Sequence, residues 1–146
     1  MMDVKVYVDF IERQREEINN FPLAYAFNEE QLKEALKKLG VKDKSECVTV
    51  MGHGDIVKKE DAPKLIAMFK RHTKELHEAL KDEEFAEAAF LYEMDNHEYA
   101  INWDGDDDVL DCFALTFENL KEMNLLNAYN RARKAHYKHA EEWDMI

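Results

Sequence analysis

The chain has 146 residues, of which 46 % are hydrophobic and 36 % charged, and its net charge is −12. That length and apolar content suit one domain with a core of its own, needing no disulfide or metal support, and they exclude a disordered chain. The acidic balance removes direct nucleic-acid binding from the expected functions, because a phosphate backbone requires a basic footprint.

In chain order, Val4, Val8, Ile11 and Ile18 are spaced for a helix from about Asp3 to Asn19, with Tyr7 beside the stripe. Asn19, Asn20 and Pro22 end it, since proline disfavours helical geometry in the residue before it. Phe21, Leu23, Tyr25 and Phe27 alternate as a first strand. Asn28 with Gln31 makes a capping pair for the helix EEQLKEALKKL, and Gly40 stands where a C-terminal glycine belongs. Cys47 to Lys58 reads as a hairpin turning at Gly52-His53-Gly54-Asp55.

The stretch from Asp61 to Trp103 organises the rest. Asp61 as cap and Pro63 in the first turn open a helix whose stripe is Ala62, Leu65, Phe69, His72, Leu76 and Leu80, widened by Ile66 and Thr73. A second helix, Glu84 to Asn96 with Asp82 as cap, is apolar around more than half its girth, the mark of a buried helix. His97, Tyr99, Ile101 and Trp103 then alternate with Glu98, Ala100 and Asn102, which predicts a strand. WDGDDD makes a turn and helix start, with Val109, Leu110, Phe113 and Ala114 as the apolar side. Thr116 with Asn119 caps a helical pattern running to Trp143, which leaves open a break near Met123 and Asn124. The expected architecture is α+β: a single, mostly helical domain over residues 1–146 with a small antiparallel sheet.

Cys47 and Cys112 belong to no CxxC pattern, so free thiols in a reducing compartment are expected. The N-terminus lacks a signal-peptide layout and no apolar run reaches the length of a membrane span, so the expected location is cytoplasmic, with no membrane partner.

Few constellations suggest chemistry. His53, between two glycines, stands at a turn whose amides can form an anion-binding nest, although a hairpin needs glycine there for steric reasons alone. His72 and His77 lie about 140° apart around a helix, too far to share one ion. Glu93 and His97 share a face if the helix reaches His97. His136 and His139 have a spacing that two-metal sites use, but His136 lies on an apolar stripe, where a hydrogen-bonded core histidine is commoner. The acidic run Asp104, Asp106, Asp107, Asp108 and Asp111 misses the register of a calcium loop: counted from Asp104, the glycine position holds Val109 and the closing-glutamate position Leu115. Ser45 sits in a polar loop without a nucleophile motif, and no P-loop or dinucleotide fingerprint is present. No metal or cofactor is expected.

The segments AFNEEQLKEALKKLG, MGHGDIVKKEDAPKLIAMFKRH and ELHEALKDEEFAEAAFLYEMDNHEY, and above all Asn96-His97-Glu98-Tyr99, are similar to a family of small acidic proteins of unknown function from bacteria, their phages and plasmids. The resemblance covers roughly Tyr25 to Leu120. It implies a mobile-element setting, in which small acidic proteins, anti-CRISPR proteins among them, act by blocking a host protein.

Two functions follow as expectations. One is a non-enzymatic interaction protein, an inhibitor of a host nucleic-acid-handling protein, offering Asp82, Glu83, Glu84, Glu87, Asp104, Asp106, Asp107, Asp108 and Asp111 to a basic surface. The other is a small enzyme or ligand-binding domain that gathers His53, Glu93, His97 and Tyr99 in one pocket.

Overall fold

A computed structural model describes residues 3–146. The described chain is mostly helical with a three-stranded antiparallel sheet, as the sequence predicts. Its contacts fall into two compact units: one takes the chain up to Glu12 and from Thr73 to Ile146, the other is Arg13–His72.

The Arg13–His72 unit carries the sheet. Helix α1 (Lys5–Asn19) ends in it, followed by β1 (Ala24–Tyr25), α2 (Glu29–Leu39), β2 (Cys47–Val48), β3 (Asp55–Lys58) and the start of α3 (Ala62–Ala79). The strand order is β1-β3-β2, with Ala24 opposite Ile56 and Val48 opposite Val57. One face buries Leu23, Val57, Leu65 and Met68 together, and a second small cluster joins Ala24, Ala35 and Leu39. The predicted strand from Phe21 to Phe27 shrinks to two residues because α2 claims its end. The Phe27 N–H donates to Gln31 Oε1 (2.8 Å) and Asn28 Oδ1 accepts from the Gln31 N–H, so the chain enters the helix cap where the ladder would continue. Along α3 the predicted stripe holds at Leu65, His72, Leu76 and Leu80, but Ile66 faces solvent and Met68 is the buried flank.

The other unit is helical. Helix α4 (Glu83–Asn96) packs along α7 (Leu126–Glu142), and buries Phe85, Ala86, Ala88, Ala89, Phe90, Leu91 and Met94. Alanines on both helices, Ala86 and Ala89 on one and Ala128 and Ala132 on the other, belong to the same core. The Phe90 ring meets Phe113 and Tyr129 edge-on at 5.0 and 5.2 Å, the geometry that aromatic quadrupoles favour. In chain order α5 (Gly105–Asp111) and α6 (Phe117–Glu122) connect α4 to α7.

The strand predicted from His97 to Trp103 is absent. Glu98 takes a left-handed conformation (φ 51°) and Tyr99–Ile101 form a 3-10 turn, leaving Ile101 53 % and Trp103 101 % exposed. The alternation of large residues was real, but among the described residues of this unit no strand edge stands ready to pair with it. The Ala100 N–H donates instead to His136 Nε2, 2.9 Å away.

The open question near Met123 is settled by Asn124, which adopts φ 57° and separates α6 from α7. The Leu125 N–H reaches back to the Leu120 carbonyl, and the same six-to-one bond closes α2 (Val41 to Leu36), α5 (Leu115 to Leu110) and α7 (Met145 to Ala140). At each stop one residue is left-handed: Gly40, Ala114, Asn124 and Asp144.

Candidate functional site

At the C-terminus of α4, Glu93 and His97 are four residues apart, and the His97 N–H still bonds to the Glu93 carbonyl, so both side chains project from one face. Glu93 Oε1 lies 3.8 Å from His97 Nε2. Cys112, just past α5, brings its Sγ to 3.3 Å from the same nitrogen. Glu93 is buried, and its second oxygen, Oε2, accepts a 2.6 Å hydrogen bond from the hydroxyl of Tyr7 on α1. Burial first and the Glu93 carboxylate second hold that phenol well above its usual range, so it stays a donor.

Asn102 fixes the surrounding turn. Its Nδ2 donates to the His97 carbonyl and to Asp108 Oδ2, while its Oδ1 accepts from the Asp104 N–H. The Cys112 thiol donates to the Asp108 carbonyl. Burial, and then the carboxylates of Glu93, Asp111 and Asp108, push this thiol up to about 11. A thiol so protonated is a poor nucleophile.

Two further polar clusters occupy this unit. Asp95 accepts from two histidines, with Oδ1 2.7 Å from His136 Nδ1 and Oδ2 2.9 Å from His139 Nδ1. His136 is fully buried, and since its Nε2 accepts from Ala100, its Nδ1 carries the proton and donates. It is the satisfied core histidine that its place on an apolar stripe suggests. Asp106 accepts from the hydroxyls of Tyr99 and Tyr129. Burial and this carboxylate push Tyr99 up to about 12.

The four residues of the predicted pocket therefore have different neighbours. Glu93 and His97 meet. Tyr99 directs its hydroxyl to Asp106, and its ring stands nearly perpendicular to those of Tyr129 and His136. His53 belongs to the other unit and is exposed at the tip of the β2–β3 connection. The nest expected around it is already filled: Asp55 accepts N–H bonds from Val50, Met51 and His53 at 2.8, 2.9 and 3.2 Å. Burial opposes ionisation of Asp55, but those amides outweigh it and hold the carboxyl below its ordinary value.

Of the acidic residues offered to a partner, several have structural duties. Asp82 caps α4 by accepting from the Phe85 N–H, and Glu87 pairs with Arg131 at 3.0 Å, with Glu83 3.9 Å from the same guanidinium. Asp106 and Asp108 are engaged as described. Glu84, Asp104, Asp107 and Asp111 are exposed and form no ion pair among the described residues.

The sequence signature of a family of unknown function, DUF7659, matches residues 6–135. The chain belongs to that family. No curated protein and no solved structure matches it. Membership of DUF7659 extends over both units and so covers Tyr7, Glu93, His97 and Cys112 alike. Among the described residues, no helix is long and apolar enough to cross a membrane. Sequence reasoning missed Cys112, Tyr7 and Asp95. The four-residue step from Glu93 to His97 was a usable signal, but only the packing of α1 and α5 on α4 adds the other side chains.

Proposed function

We propose that this protein acts by docking on the basic surface of another protein rather than by catalysis. The observation that carries this is the fully exposed Trp103, with Ile101 two residues before it and, after it, the exposed carboxylates of Asp104, Asp107 and Asp111, which form no ion pair among the described residues. A tryptophan left in water has no packing role, whereas at interfaces it is among the commonest anchors. The carboxylates around it would steer a cationic surface onto that anchor, and the net charge of −12 acts in the same direction.

Proteins that grip a phosphate backbone carry such basic surfaces, so a host nucleic-acid-handling protein is the fitting partner class. The resemblance to proteins of phages and plasmids supports a mobile-element inhibitor that occupies this surface in place of nucleic acid. The test is competition. Tagged protein is used to isolate its partner at low salt, and the partner's retention on a nucleic-acid column is measured with and without the protein. Loss of retention, abolished by W103A and weakened by D104N/D107N/D111N, is the expected result. Retention of the partner by W103A and the charge variants as well as by the parent would refute the proposal.

A second reading, a small ligand-binding or catalytic domain, rests on the meeting of Glu93 and His97. Its test is a ligand whose binding is lost in H97A and kept in W103A; the reverse pattern belongs to docking.

A further inference from the structure

We infer that Glu93, His97 and Cys112 form a binding site for one zinc ion, leaving a fourth coordination position open to solvent. The inference is independent of the docking proposal. Among the described residues these three side chains place one ligand atom each within 4.8 Å of one another. A tetrahedral ion with bonds of about 2.0–2.3 Å to oxygen, nitrogen and sulfur spaces such atoms by roughly 3.3–3.7 Å. The Glu93–His97 and His97–Cys112 separations, 3.8 and 3.3 Å, fall at the two ends of that range, and Glu93 and Cys112 lie within 4.8 Å of each other, so side-chain rotation about existing bonds closes the set around one ion.

The surrounding groups fit as well. Tyr7 donates to Oε2 of Glu93, which leaves Oε1 facing His97 and orients it as a single-oxygen ligand. The backbone under His97 is pinned by Asn102. Cys112, the outermost ligand, is accessible to solvent, and this gives an ion its way in. Binding replaces the thiol proton with the metal: the Cys112 S–H bond to Asp108 opens, one proton leaves to solvent, and a sulfur–zinc bond forms. Thiolate and carboxylate then balance the two charges of the ion, with neutral imidazole as third ligand. One sulfur, one nitrogen and one oxygen select zinc-like metals over magnesium or calcium, which prefer oxygen throughout. Three protein ligands and an open position are the pattern of zinc sites that bind water or a ligand atom.

The test uses the full chain after chelator treatment. Calorimetric titration with zinc is expected to show one equivalent bound, and cobalt in its place should give the charge-transfer absorption of a cobalt–thiolate bond. C112S and H97Q should abolish both signals with an unchanged far-ultraviolet dichroism spectrum. C47S should keep them, and Y7F should bind about 10-fold more weakly through loss of the supporting hydrogen bond. Absence of stoichiometric binding in the parent would overturn the inference. So would binding that survives C112S, since the ion would then sit on other histidines.

Discussion

A single carboxylate can organise a loop more economically than the loop's own glycines, and Asp55 does so by gathering three amides. Because its carboxyl lies below the ordinary value in the fold, the unfolded chain takes up the proton more readily than the native one. The stability it contributes is therefore fully present above the unfolded value of about 3.9 and fades as pH falls through the lower folded value. D55N is expected to unfold in urea about 1–2 kcal/mol more easily than the parent at neutral pH, with the gap narrowing below about pH 4. A second test at this scale is H136A, which empties the place of a fully buried ring and orphans the part-buried Ala100 N–H and one oxygen of Asp95. A loss of about 3 kcal/mol is expected, with a smaller loss for H136Q. The residue types at both places were visible in the sequence. What could not be read was direction: Gly52-His53-Gly54-Asp55 suggested a cradle for an outside anion, and the anion turned out to be the fourth residue of the same string.

Helices in this protein were legible from their starts. Asn28, Asp82 and Thr116 cap where the sequence places them, each accepting from the amide three residues on. Their ends were harder to see. All four six-to-one stops use a left-handed residue, but only Gly40 and, more weakly, Asn124 are residue types that announce one. Alanine gains nothing from that conformation and carries a steric cost. A114G is thus expected to raise stability by up to about 1 kcal/mol, and N124A to lower it by a similar amount, measured by thermal or urea unfolding. The segment from His97 to Trp103 failed for a different reason. Alternation reports which side chains are large, not whether a partner strand exists, and two of the apolar residues in the pattern, Ile101 and Trp103, face water. That misplaced strand and the missed exposure are one error, because a paired strand would have buried the surface now proposed as a docking anchor.

For the whole molecule, the docking proposed above divides into two separable contributions, charge and anchor. Raising salt is expected to slow the arrival of a basic partner, while W103A is expected to speed its departure, and surface plasmon resonance at two salt concentrations distinguishes the two effects. The total charge was legible from composition alone; which carboxylates remain free for a partner was not, since that depends on Arg131, Asn102 and two tyrosines in the fold. The placement of Trp103 also determines how the protein is seen in a fluorimeter. The chain has two tryptophans, and Trp103 and Trp143 are 101 % and 52 % exposed. The Trp103 indole, already in water, emits nearly the same light before and after denaturation, so its share of the intrinsic emission should barely register unfolding. The same indole, covered by a partner, would lose its contact with water and emit toward the blue, which makes this protein's own fluorescence a label-free signal of association.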